Sequence, residues 1–508
     1  MDRSNDRDLA EPAAEEDDNK LRTAVVIVHG MGEHRPLETL NGFINAGLPA
    51  IDGTRHFYSR PDGVTDSYES RRYLAARQPT RGEPETYAQA EFFEYHWAYL
   101  MQGNRLSDLW RTIRRFLLLR LAFVPTGLRV VWALAWIVIA VGIWAFIWGP
   151  LSNLDLAEGP IVEVVLEALL GGGLAALLVG WLLAGPLNAW ITSSFVDVVR
   201  YLDTTPRSYA VRRDIRKGII DLLDGLTTSD RYDRIVIVAH SLGSYIAYDA
   251  ISYLWGKYNT LYAKPPTDTK RPGQSPAGLK ALEQAAAELN AHRGKPGETA
   301  MREEFRKAQR DLWLGMRHDS NPWLITDLIT LGSPMYFADR LYTRNNAEFA
   351  ERVKRWELPT CPPQAEGALY NDINETGLWF SWKHKSGRRM LYHGAPFAVV
   401  RWTNMWFPAV DGFRGDWFGG PLAPLYGAGI LDIKLEGNRP QSLAPALAHA
   451  RYFRFGDDTS PASVTTHLRR AMDLASSHWL STVRDAARPS EAKPSSSASG
   501  PTGEGRPE

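Results

Sequence analysis

Ser241 lies in the stretch "RIVIVAHSLGSYIAYDA", from Arg234 to Ala250. A run of Ile and Val leads into a tight Ala-His-Ser-Leu-Gly step, and an amphipathic segment follows. A serine at the crest of so abrupt a strand-to-helix turn is presented as a nucleophile. Ala239 occupies a place where Gly is usual; the requirement there is a small side chain, and Ala meets it. The N-terminus of the helix behind Ser241 favours developing negative charge. A nucleophile of this kind needs a base, an acid behind the base, and two donors for a tetrahedral oxyanion.

Chain order narrows the choice among the 12 histidines. In an α/β sheet with this turn, the acid and then the base follow the nucleophile. His449 in "ALAHARYF" and His467 in "SVTTHLRRAMD" are the late candidates, and His449 is preferred because it follows "GILDIKLEG", a plausible final strand. The acid is expected in "FPAVDGFRGDWFGGPL", where Asp416 is preferred and Asp411 is the alternative. One oxyanion donor is the backbone N–H of Leu242, next to the nucleophile. The other is assigned to Met31 in the "HGMG" loop, His29 to Gly32, whose glycines permit an unusual backbone. His29 is read as fixing that loop by a hydrogen bond.

These residues need a frame that gathers them. "RTAVVIVHGMGEH", "RIVIVAH", "WLITDLITLGSPM" and "FAVVRWTNMW" are short β-branched or apolar runs ending in turns, and each reads as a buried strand. "AEFFEYHWA" adds a further strand, and residues 200–226 have helical periodicity. Strands alternating with helices predict an α/β fold with a mostly parallel sheet and flanking helices. In such a sheet, ligands gather at the carboxyl ends of the strands, where Ser241 is placed. Residues 263–310 are read as an insertion over the sheet edge.

"VVIVHGMG", "VIVAHSLG", "LITLGSP" and the late Asp and His together resemble the lipase-like branch of the α/β-hydrolase superfamily. The resemblance covers residues 21–100 and 200–455. It implies a serine hydrolase of esters, often lipid esters, with Ser241 as nucleophile and Met31 as an oxyanion donor. The loop that carries Asp416 is longer and more aromatic than the family's usual acid loop, and Ala239 is a second departure.

Val130 to Trp148 holds 19 residues without a charge, and Ala168 to Leu187 is a second charge-free stretch. Each is long enough for a bilayer's hydrocarbon core, about 30 Å at 1.5 Å per residue. They predict a two-helix transmembrane hairpin inserted in the fold, with a helix lying in the interface just before it. Arg105, Arg111, Arg114, Arg115, Arg120 and Arg129 precede the first span, and Arg200, Arg207, Arg212, Arg213, Arg216 and Lys217 follow the second. Basic flanks stay on the cytoplasmic side, so both termini and the catalytic domain are expected there. Small residues at Gly172, Ala176, Gly180 and Ala184 give one span a face for close helix approach, to the other span or to a second subunit.

The expected organisation is an acidic tail (1–20), a first sheet segment (21–105), the membrane region (106–190), the remainder of the sheet domain (191–484) and a polar tail (485–508). Charges balance at 58 against 58, giving no electrostatic case for nucleic acid. With one cysteine, Cys361, there is no intramolecular disulfide and no cysteine-based metal site. No cofactor or metal is expected. The expected activity is that of a membrane-anchored serine esterase or lipase-like hydrolase on a lipid or other ester. The alternatives are acyl transfer, thioester or amide cleavage on the same fold, and a non-catalytic scaffold.

Overall fold

The computed structural model describes residues 22–30, 35–47, 57–65, 68–76, 87–101, 206–263, 275–343, 345–365, 380–383, 389–409, 415–435, 451–453 and 463–474, together with residues 448–449 and scattered positions between 117 and 202. Its centre is an eight-stranded sheet. The strands are β1 (Arg22–Val28), β2 (Phe57–Pro61), β3 (Glu69–Ala76), β4 (Tyr87–Tyr95), β5 (Arg234–His240) and β6 (Ile325–Leu331). After a separate small hairpin of β7 (Ser381–Lys383) and β8 (Arg389–Leu391) come β9 (Arg401–Trp406) and β10 (Leu431–Lys434). Across the sheet the order is β10-β9-β6-β5-β1-β4-β3-β2. From β10 to β4 every pairing is parallel; β3 and β2 complete the edge as an antiparallel hairpin.

Parallel strands covered on both faces read as continuous apolar runs, and β1 and β5 show why. Val26 and Val28 of β1 enter one core layer, while Val25 and Ile27 enter the other. All four are fully buried, each removing about 1.5–3 kcal/mol worth of apolar side chain from water. The larger layer lies beneath α2 (Pro206–Thr228) and α3 (Gly243–Ala263); α1 (Glu38–Gly47) packs on the opposite face.

The predicted strands and the helix after Ser241 are found, with shifts of a few residues at their ends. The hairpin of β2 and β3 was not anticipated, because "FYSRP" and "ESRRYLAA" carry too many polar residues for an apolar-run criterion. The segment between α3 and β6 overlaps the insertion expected at 263–310. It holds α4 (Leu279–Ala291) and α5 (Glu298–His318), so the expected boundary falls inside a helix. Phe305, Leu312 and Trp313 of α5 are buried in the larger core layer, and Gln309 donates to the Phe397 and Val400 carbonyls. This helix is a structural crossover between parallel strands.

Among the described residues no helix is long and apolar enough to cross a membrane. The second predicted span, 168–187, lies wholly outside the described residues, and the first, 130–148, is described only at scattered positions. The acidic and polar tails also lie outside them.

Candidate active site

β5 delivers Ser241 to the carboxyl edge of the sheet. The residue has φ 52°, a left-handed backbone rare for a side chain other than Gly or Asn. The conformation is held on both sides: the Ser241 N–H donates to the Leu331 carbonyl of β6 at 2.9 Å, and the Ser241 carbonyl accepts from Ser244 at 3.0 Å as α3 begins. Gly243 shows how tight the turn is. A Cβ there would lie 2.4 Å from the Val28 carbonyl oxygen of β1, closer than any side chain tolerates. Ala239 is fully buried, so the small side chain in place of the more usual Gly fits its surroundings.

Two residues distant in sequence converge on the serine. His449 comes from the segment after β10, within a short helical stretch at 448–449, and Asp416 from the loop between β9 and β10. The Ser241 Oγ and His449 Nε2 are 2.7 Å apart. On the other side of the imidazole, Nδ1 is 3.0 Å from each carboxylate oxygen of Asp416. An ionised carboxylate only accepts, so Nδ1 carries the proton and Nε2 is left to accept from the serine hydroxyl. Asp416 is shielded from solvent and the His449 side chain is 11% exposed, as a base reached from one side would be.

The carboxylate is further anchored. Phe418 N–H donates to Oδ1 at 2.8 Å and the Tyr452 hydroxyl donates to Oδ2 at 2.7 Å. The same tyrosine oxygen accepts from the Phe407 N–H at 3.1 Å, at the end of β9. Gly332, with φ 56°, lets β6 turn beneath this group; a Cβ would meet the Tyr452 ring at 2.6 Å and Asp416 Oδ2 at 2.7 Å. On the nucleophile side, His240 Nε2 donates to the His449 carbonyl at 2.8 Å, and the two imidazoles lie 4.9 Å apart. Sequence reasoning did not single out His240 or Tyr452. Their signals were adjacency to Ser241 and a place three residues after His449, neither of which predicts a contact without the fold.

His29 is committed to its loop. Its Nδ1 donates to the Gly30 carbonyl at 2.9 Å, its Nε2 accepts from the Trp97 N–H at 3.2 Å, and its ring stacks on Trp97 at 5.0 Å. His467 sits half-buried on α6 (Val464–Met472), where burial and then Arg470 lower its pKa. The imidazole joined to Ser241 is that of His449. Leu242 follows the nucleophile with its side chain buried. Met31 and Asp411 lie outside the described residues. Cys361 is fully buried, and burial pushes its thiol up to about 12, so it is no competing nucleophile.

An apolar wall adjoins the acid. Trp417, next to Asp416, packs with Tyr336, Phe337 and Leu341, and with Val124 and Trp132 from the chain around the first predicted span. The Tyr336 hydroxyl donates to the Trp417 carbonyl at 2.9 Å. Along the same stretch Leu118, Leu121, Trp136, Ile137 and Trp144 are exposed.

Comparison with protein-family models, curated proteins and solved structures finds no match for this chain. Function is therefore read from the site itself.

Proposed function

We propose that this protein is a membrane-anchored serine hydrolase of the α/β-hydrolase type, acting through an acyl-enzyme on a lipid or other ester. The observation that carries the reading is the hydrogen-bonded series Ser241–His449–Asp416 at the carboxyl edge of a parallel sheet, with the serine in a left-handed turn. A scaffold has no need of that series.

In this mechanism His449 Nε2 takes the hydroxyl proton as Ser241 Oγ attacks the ester carbonyl carbon. Asp416 stabilises the resulting imidazolium and keeps the ring oriented. The carbonyl oxygen, now negative, is received by the backbone N–H groups of Leu242 and Met31. Collapse of the tetrahedral species breaks the bond to the alcohol, which leaves with the proton held by His449. Water then enters, gives a proton to His449 and attacks the acyl-enzyme; the acid departs and Ser241 regains its proton.

The lipid preference rests on the apolar wall beside Asp416 and its continuation into exposed aromatic and aliphatic residues of the 117–144 stretch. The hairpin of spans 130–148 and 168–187, with cytoplasmic termini, is the anchor in this reading. A homo-oligomer through the small-residue face of the second span is compatible with it.

The test uses a fluorophosphonate probe on membranes holding wild type, Ser241→Ala or His449→Ala. Labelling of wild type alone is expected. Labelling that survives Ser241→Ala would overturn the nucleophile assignment, and a folded but unlabelled wild type would favour a scaffold. A panel of glyceride, phospholipid and thioester substrates, with and without an acceptor alcohol, then separates hydrolysis from acyl transfer.

A further inference from the structure

At the opposite end of the sheet, where β9 and β10 begin, lies a cavity of about 440 Å3. One wall is a single face of α5, carrying Arg302, Arg306, Lys307 and Arg310 at helical spacing; the other is formed by Arg401 and Leu431, the first residues of their strands. Five cations thus face a space the size of a small-molecule site, against two carboxylates, Glu303 and Asp311.

Three of these cations are matched behind the cavity. Arg401 pairs with Asp327 at 2.7 Å, Arg310 with Asp473 at 2.9 Å, and Arg302 with Glu298 on its own helix. Arg306 and Lys307 differ. Arg306 donates to two neutral acceptors, the Trp402 carbonyl at 2.8 Å and Thr403 Oγ1 at 2.9 Å. Of the five N–H groups of a guanidinium, these use two. Among the described residues neither Arg306 nor Lys307 has a carboxylate within ion-pairing distance. Arg306, half-buried beside Arg401 and Arg310, is repelled by them unless an anion joins the group.

We propose that this cavity binds a phosphate-bearing anion, held by Arg306 and Lys307 with Arg302, Arg310 and Arg401 around it. Several guanidinium forks about one cavity match the oxygens of a phosphate better than a single carboxylate. The volume is that of a small molecule or one headgroup. Burial, and then the charge of Arg401, push both Arg306 and Arg310 down to about 10, the electrostatic cost that a bound anion would relieve. The site is distinct from Ser241. The length of a seven-residue strand, roughly 20 Å, separates the two ends of the sheet.

The test is calorimetric titration of the full chain, in neutral detergent at fixed ionic strength, with pyrophosphate and separately with dioctanoyl phosphatidic acid. Saturable binding of at least one probe is expected, weakened about ten-fold or more by Arg306→Gln and by Lys307→Gln. Arg355→Gln, an exposed cation elsewhere, is expected to leave it unchanged. Lys307 is exposed, so its variant remains informative if Arg306→Gln does not fold. Binding of pyrophosphate alone identifies a soluble phosphate ligand; Arg306-dependent binding of phosphatidic acid alone identifies a lipid headgroup. Absence of saturable binding by both probes, or binding indifferent to both variants, would overturn the proposal. Neither outcome depends on the serine chemistry, since Ser241→Ala should bind as wild type does.

Discussion

Asp416 accepts from three donors at once: the His449 ring, the Phe418 N–H and the Tyr452 hydroxyl reach its two oxygens, with the ring nitrogen equidistant from both. In the proposed mechanism it holds one tautomer of His449 and stabilises the imidazolium. Asp416→Asn keeps the shape but presents an N–H where an acceptor is needed. Turnover of an activated ester should fall on the order of 10⁴-fold with the protein still folded, as stopped-flow assay and circular dichroism would show. Tyr452→Phe removes one donor to the carboxylate and leaves the ring packing intact. A loss of about ten-fold in kcat with KM unchanged is expected, since the hydroxyl orients the acid and does not touch substrate. A change confined to KM would assign Tyr452 to substrate binding instead.

The elements act by how closely they pass. β1 and α3 approach so tightly at Gly243 that a methyl group would collide with the Val28 carbonyl. Gly243→Ala should destabilise by about 3 kcal/mol and displace Ser241, so denaturant unfolding and probe labelling should fall together. A second element-scale effect involves Glu94 of β4, buried beneath the first turn of α1 near Thr39 and the backbone of Leu37 and Leu40. Burial holds its carboxyl up to about 7 despite the opposing pull of those groups. Between an ordinary glutamate pKa and about 7, the folded chain keeps a proton that the unfolded chain has released. Stability therefore falls as pH rises through that window, and the loss is complete above it, at roughly 3 kcal/mol. Glu94→Gln should raise Tm at pH 8 and leave it nearly unchanged at pH 5. Scanning fluorimetry at the two pH values checks this; equal shifts at both would remove the titration argument.

At the scale of the whole molecule, the proposed hydrolase centre and the 117–144 stretch meet at Trp417 and Trp132. If that stretch opens into a bilayer span, the full chain should stay with membranes through an alkaline carbonate wash. Tags at both ends should be reached by protease only after the cytoplasmic face is exposed. Recovery in the soluble fraction would sever the lipid reading from the proposed serine chemistry, which is argued separately from the Ser241–His449–Asp416 geometry.

Much of this arrangement was legible in the chain because local chemistry is local in sequence. The runs "AVVIV", "RIVIVA" and "LITL" read as buried strands because burial on both faces demands continuous apolar residues. The Ser241 turn announced itself by small neighbours and a following helix. The edge hairpin was not legible, since a strand can carry the polar residues of "ESRRYLAA", even with Ser70 and Arg71 buried, and still pair through its backbone. Nor did the helical composition of 298–318 reveal whether its apolar stripe would meet the sheet or solvent, and only packing placed Phe305 and Trp313 inside. The same holds at the site. Residue types and order nominated His449 and Asp416 among competitors, but sequence has no term for the distance across more than 200 intervening residues. That 2.7 Å contact with Ser241, the tyrosine behind the acid, and the gathering of arginines from a helix and a strand start at the far edge were decided by tertiary structure. They are contacts between separate elements, set by how a twisted sheet stacks its crossovers.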